Sequence, residues 1–214
     1  MNIVVFGANG PTGLEVCRQA LAAGHHITAA VRRPDEFLLQ DRALHVVKAN
    51  VMAGSSLAPV IGNADAVLST LGAPYSRHEI RLYSVATKAI VEAMRVSDHC
   101  RRLVVVSSSL AARRLPKVRG FFEDNIVLPI LRNVIGRTLY EDMLCMEDYL
   151  AACDDIAWTL IGPARLINGK EISNYRLAED FPAGNVTRPD LAAAMLAELG
   201  PNGHIHKKMA PTTR

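Results

Sequence analysis

The chain has 214 residues, half of them apolar, which suits one α/β domain with a sizeable core and leaves little room for a second. Its 24 basic and 21 acidic side chains leave a formal charge of +3. That is too small, and too evenly interleaved, to point to nucleic acid. The longest apolar runs, such as 126–131 with Pro129 inside it, fall short of a bilayer span, so no membrane partner is expected.

The first residues, Met1-Asn2-Ile3-Val4-Val5-Phe6, have no basic flank and no small-residue cleavage site. They read as a first core strand rather than a signal peptide, and a cytoplasmic protein is expected. A helix over 12–23 follows and ends at Gly24, a natural left-handed C-cap. Strands are predicted at 26–31 and 44–48, then a short helical turn over 56–61 stopped by Gly62, then a strand at 66–70. The helix over 81–95 keeps Leu82, Val85, Ala89 and Ala93 at helical spacing. A strand at 102–107 precedes a loop over 111–122 and a long helix over 125–153, broken near Pro129 and Gly136. A sixth strand at 158–161 leads towards a helix over 189–199. Its start carries Pro189 in the first turn and Asp190 near the positive end of the dipole. A last strand is expected around 204–209, then a frayed tail. Short, nearly continuous apolar strands alternating with helices imply an α/β fold: a doubly wound parallel sheet with helices on both faces. Residues 1–214 read as a single Rossmann-type domain, covered on the substrate side by residues 110–140 and the C-terminal third.

Four cysteines lie far apart with no C-x-x-C, so neither a zinc site nor a disulfide framework is expected. Cys17 and Cys145 sit at helical positions and read as small buried hydrophobes. His204-x-His206 lacks a carboxylate or cysteine partner, and no metal is assigned.

The turn Gly7-Ala8-Asn9-Gly10-Pro11-Thr12-Gly13 follows a strand and opens a helix, the context a dinucleotide-binding turn requires. Gly7 permits the tight turn, Gly10 lets the backbone approach a pyrophosphate, and Gly13 lets helix and sheet pack closely. The helix amides from Pro11 and Thr12 onward face the phosphates. At the end of the second strand an NAD site would place an acid on the ribose 2′-hydroxyl. This chain has Arg32 and Arg33 instead, whose guanidinium forks suit a 2′-phosphate, so NADP(H) is expected over NAD(H).

The Gly-x-x-Gly-x-x-Gly spacing resembles the extended and atypical short-chain dehydrogenase/reductases. GANGPTG, VRRP, STLGA, VVVSSS, WTLIGPARLINGK and VTRPDLAAAML occur in the order of the NmrA-like group. Within that group the chain is most similar to the biliverdin reductase B/flavin reductase branch, and the likeness covers nearly all of it. The resemblance implies that Asn50 and Val51 lie beside the adenine, and that Leu71, Gly72 and Ala73 pass under ribose and phosphates. It further implies Ser107, Ser108 and Ser109 near the nicotinamide, with Pro163, Ala164 and Arg165 at the carboxamide. Arg165 stands where the biliverdin-reducing relative has histidine, which argues against a tetrapyrrole substrate. The Tyr-x-x-x-Lys pair of ordinary short-chain dehydrogenases is missing: Tyr140 is followed four residues on by Leu144 and Tyr149 by Cys153, as that branch also permits.

The expected activity is therefore NADPH-dependent reduction of a small planar acceptor such as a flavin or quinone, by a monomer or homodimer. Ser109 is the chosen polar group near the transfer. Arg113, Arg114, Lys117, Arg119, Phe121 and Phe122 read either as an overhang for a planar anion or as a solvated lid with its phenylalanines in the core. Glu147 reads as a structural carboxylate pairing with Arg137 or similar, and His78 as a surface histidine. The rival reading is a non-catalytic NADP(H)-binding redox sensor; carbonyl reduction or sugar epimerisation with a substitute acid is a third.

Overall fold

Strands without a polar face can sit only where both sides are covered, and here they build the centre of the molecule. The computed structural model describes residues 1–53, 56–97, 99–113, 120–179 and 184–213. The strands are β1 (Asn2–Phe6), β2 (His26–Val31), β3 (Leu44–Lys48), β4 (Ala66–Ser69), β5 (Arg102–Val106) and β6 (Ala157–Ile161), then β7 (Arg165–Ile167), β8 (Arg176–Glu179), β9 (Asn185–Thr187) and β10 (Lys207–Thr212). The main sheet runs β3-β2-β1-β4-β5-β6-β10-β8, parallel except for the edge strand β8. β7 and β9 form a separate parallel pair.

Successive side chains of β1 point to opposite faces, so each face acquires its own core. Ile3 and Val5 pack with Val16, Cys17 and Ala20 of α1 (Pro11–Ala22) and with Leu191 and Met195 of α6 (Arg188–Ala197). Val4 and Phe6 pack on the other side with Ile90 and Met94 of α3 (Leu82–Val96) and Met146 and Leu150 of α5 (Arg137–Ala151). The short α2 (Ala58–Ile61) joins this second face through Ile61. The architecture is α/β with helices on both faces of a mostly parallel sheet, as the alternation predicts.

The six expected strands agree with the structure to within a residue at each end. Gly24 takes a φ of +81°, the left-handed cap its position suggested. Three expectations need correction. The long helix breaks at Gly136 but continues through Pro129, which opens α4 (Leu128–Ile130) between π-helical turns at Glu123–Val127 and Leu131–Ile135. There its missing N–H interrupts no regular ladder. The last strand begins later than 204, because His206 has a φ of +57° and its ring packs against Trp158. Cys145 is exposed, whereas Cys17 is buried, its thiol pushed up to about 12 by that burial.

α3 has no capping side chain of its own at Arg81. Its cap comes from α5: the buried Asp142 carboxylate accepts from the Tyr83 amide at 2.7 Å, the Ser84 amide at 3.3 Å and the Ser84 hydroxyl. Replacing Asp142 by Ala leaves those donors unpaired beneath a packed helix pair. Asp142→Ala is expected to cost about 2–4 kcal/mol of stability, measured by denaturant unfolding.

Candidate functional site

A cleft of about 1280 Å³ opens along the C-terminal ends of the parallel strands. Strand order reverses between β1 and β4, and the loops after these two strands, with those after β2, β3, β5 and β6, line it. This crevice is where open α/β sheets receive ligands.

The three turn glycines divide the work. Gly7 has a φ of +79°, and a Cβ there would stand 2.8 Å from the Thr70 carbonyl carbon, so it lets the turn lie against the end of β4. At Gly13 a Cβ would fall 2.3 Å from the Gly7 carbonyl oxygen, so that glycine closes helix onto strand and does not line the cleft. Gly10 differs. A Cβ there would meet only the Gly7 carbonyl oxygen, at 3.3 Å, and would otherwise project into the cleft. Gly10 also caps α1 without a side chain, leaving the first helical amides with no capping side chain. Gly7, Asn9, Gly10, Pro11 and Thr12 all line the opening.

The loop after β2 is tied to this turn, since the Asn9 side-chain amide donates to the Arg33 carbonyl at 3.2 Å. Arg33 pairs with Glu36 at 2.9 Å, whereas the exposed Arg32 has no ion-pair or hydrogen-bond partner among the described residues. Both arginines line the cleft, as do Arg165 and Arg188, against a single acid, Glu123, among the described residues. Such a lining favours an anion. Asn50 and Val51 lie at the end of β3; the Asn50 Oδ1 already accepts from the Met52 amide at 3.0 Å and keeps one further lone pair.

Leu71, Gly72 and Ala73 form the cleft wall after β4. Ala73 donates its amide to the Tyr83 hydroxyl at 3.0 Å, so that N–H shapes the loop and is not offered to a ligand. Tyr83, Tyr75 and Tyr140 were not among the expected site residues, yet all three line the cleft. The Tyr75 and Tyr140 hydroxyls are 2.7 Å apart, and Gly136 makes room for both rings, since a Cβ there would meet Tyr140 at 2.4 Å and Tyr75 at 2.8 Å. Burial, and then the bond to Tyr75, pushes the Tyr140 phenol far up, so it stays neutral.

Ser107 and Ser108 line the cleft, with Pro163, Ala164 and Arg165 beside them after the neighbouring β6. Ser109 does not. Its hydroxyl is buried without a hydrogen-bond partner among the described residues and does not line the cleft, which argues against Ser109 as the polar group at the transfer; Ser107 and Ser108 are the serines of this run that line it. Ser107 lines the cleft, and its hydroxyl donates to Glu147 Oε1 at 2.5 Å. Glu147 is also the acceptor for Lys208 Nζ at 2.6 Å, while Arg137 pairs with Glu141 instead. Burial raises the Glu147 carboxyl against the pull of Lys208, and burial lowers the Lys208 ammonium.

The expectation that the phenylalanines tuck into the core is corrected. Phe121 and Phe122 are 81% and 66% exposed and line neither core nor cleft; Val127, Leu128 and Leu131 cover the opening instead. Arg113 pairs with Asp148 at 2.8 Å, and Arg114, Lys117 and Arg119 lie outside the described residues. His78 is exposed.

A family model described as NAD(P)H-binding matches residues 7–200. Over 223 aligned residues, covering 97% of this chain and 96% of the relative, the sequence is 27% identical to the uncharacterized protein YwnB of Bacillus subtilis. Among solved structures, a candidate NADH-flavin reductase of Streptococcus pneumoniae superposes with a TM-score of 0.77 at 21% identity over the full length of both chains. A short-chain dehydrogenase/reductase of Veillonella parvula, solved with NADP, superposes with a TM-score of 0.80 at 15% identity, covering 99% of this chain and 94% of that one. At such identities these likenesses concern the fold.

Proposed function

The chain belongs to the NAD(P)H-binding family, and we propose that it is an NADPH-dependent oxidoreductase that reduces a planar acceptor such as a flavin or quinone. The observation that carries the binding half is the Gly10 cradle: a position open to the cleft, at an uncapped helix start, that any side chain would fill. In this reading Gly7 to Thr12 hold the pyrophosphate, Arg32 and Arg33 the 2′-phosphate, and Asn50 and Val51 the adenine. Leu71 and Gly72 pass beneath the riboses, with Ala73 shaping their loop, and Pro163, Ala164 and Arg165 face the carboxamide. Ser107 and Ser108 stand at the reacting end. Bound NADPH supplies a hydride there.

The protein's own part is to orient and to exclude water. Val127, Leu128 and Leu131 cover one side of the reacting end, and Tyr75 and Tyr140 present ring and hydroxyl to it. Val127, Leu128, Leu131 and Tyr140 support the segment 110–140 as part of the substrate cover, and Leu166 and Arg188 bring the C-terminal third to the same cleft. Apolar and aromatic lining with an arginine rim fits a flat, anionic acceptor. The test is NADPH oxidation against a panel of flavins, quinones and tetrapyrroles. Turnover with a flavin or quinone is expected, and oxidation of NADPH by no acceptor would shift the reading to a redox sensor.

Tyr140 is not the acid in this scheme, because its hydroxyl is buried against Tyr75 with no lysine to lower it. Tyr140→Phe is expected to lower turnover less than about tenfold, under about 1.4 kcal/mol of barrier. A thousandfold loss at unchanged NADPH affinity would redirect the reading to carbonyl reduction.

A further inference from the structure

The Ser107–Glu147–Lys208 line is not needed to bind a dinucleotide. Ser107 is the only one of the three that lines the cleft, and Glu147 meets the cleft only through it. Lys208 comes from β10, and its ammonium donates to Glu147 and to the Ala111 carbonyl, each at 2.6 Å. Its side chain is 29% exposed against 15% for Glu147, so the line runs from solvent to the cleft wall. Among the described residues, the charged groups facing Glu147 are Lys208 from β10 and Asp148 on its own helix. Asp148 is itself neutralised by Arg113 from the segment after β5. A buried carboxylate with one lysine partner and one serine facing the site is a costly arrangement unless it is used.

We infer that Ser107, Glu147 and Lys208 form a proton relay that delivers the second hydrogen to the acceptor, in place of the missing Tyr-x-x-x-Lys pair. The inference rests on the oxidoreductase reading. The acceptor takes two electrons and one hydrogen as the hydride that NADPH supplies, leaving an anionic heteroatom. Ser107 Oγ gives its proton to that atom, breaking its O–H bond, and is reprotonated through Glu147: the Lys208 ammonium passes a proton to the Glu147 carboxylate, which hands it to Ser107 Oγ and returns to the carboxylate. The Lys208 amine left behind is recharged from solvent. The sum is NADPH, a proton and the acceptor going to NADP⁺ and the two-hydrogen-reduced acceptor. Ser107 is the catalytic residue; Glu147 and Lys208 act through it and are positioning residues.

The test follows NADPH oxidation by the full chain, with an acceptor that the unmodified protein turns over, in Ser107→Ala, Glu147→Gln, Lys208→Met and the Ser107→Ala/Glu147→Gln double variant. Unfolding midpoint and NADPH affinity are measured beside it. Each single variant is expected to lose about a hundredfold in kcat, the lower end for a positioned general acid, with NADPH affinity kept. The double variant should be no slower than the singles, because members of one relay are not additive. In the unmodified protein kcat should fall as alkaline pH strips the shared proton, and Glu147→Gln should lose that limb. Ser107→Thr should restore most of the rate. Ser107→Ala removes only one oxygen and keeps the test decisive if Glu147→Gln does not fold. Unchanged kcat and pH profile in folded variants of an active protein would overturn the relay alone. An unmodified protein inert with every acceptor would overturn the oxidoreductase reading and the relay with it.

Discussion

A Gly10→Val variant is expected to fold and to lose NADPH binding by more than about a hundredfold, about 2.8 kcal/mol or more. Its backbone lies at φ −73° and ψ 157°, an extended conformation that valine accepts readily. The new side chain meets one backbone oxygen at 3.3 Å and otherwise occupies the opening. The neighbouring glycines supply the contrast. A side chain at Gly13 would fall 2.3 Å from the Gly7 carbonyl oxygen, and one at Gly7 would press on Thr70 in a left-handed conformation. Gly7→Val and Gly13→Val should therefore lower the unfolding midpoint, while Gly10→Val leaves it nearly unchanged. Calorimetry showing undiminished NADPH affinity in folded Gly10→Val would place the phosphates elsewhere.

The second large effect concerns cofactor choice. The reading that NADPH is preferred over NADH rests on Arg32 and Arg33, and the structure separates the two. Arg33 is engaged with Glu36, and its carbonyl holds Asn9; Arg32 is exposed on the cleft rim, with no partner for its guanidinium among the described residues. A charge-assisted fork to a 2′-phosphate then contributes about 1–3 kcal/mol, the scale of one or two charged hydrogen bonds. Arg32→Ala is expected to remove most of the NADPH advantage while leaving NADH affinity within about twofold. Arg33→Ala should have the smaller effect. Discrimination unaltered in Arg32→Ala would mean that Arg33, or another of the arginines lining the cleft among the described residues, carries it.

The parallel strands and the phosphate turn were legible because their signals are local. β1 declares itself in five consecutive residues, and the turn glycines keep a fixed spacing within seven positions, although the Thr70 that Gly7 lies against comes from the end of β4. β7, β8 and β9 were not, because three or four residues carrying Arg165, Arg176 or Glu179 have no period to read. The site divides similarly. Residues at the strand ends line the cleft as their position suggested, whereas which serines of VVVSSS line it depends on the path of the chain beyond β5, which the sequence pattern alone does not give. The partners of Glu147 were hidden for a further reason. Helical spacing makes residues of α5 its natural partners, while Ser107 is 40 positions earlier and Lys208 is 61 positions later. The tyrosine pair was missed because Tyr75 lies in an irregular loop, and its partner was weighed only for a lysine four residues on.

The measurement closest to the central claim is a pair of calorimetric titrations of the unmodified protein, with NADPH and with NADH, in the same buffer and salt. One site per chain is expected, with NADPH binding tighter by about 1–3 kcal/mol, or roughly 5- to 150-fold. The advantage should shrink as salt rises, because an exposed arginine is screened. Equal affinities for the two cofactors would contradict the role given to Arg32, and no binding of either would contradict the assignment of the cleft.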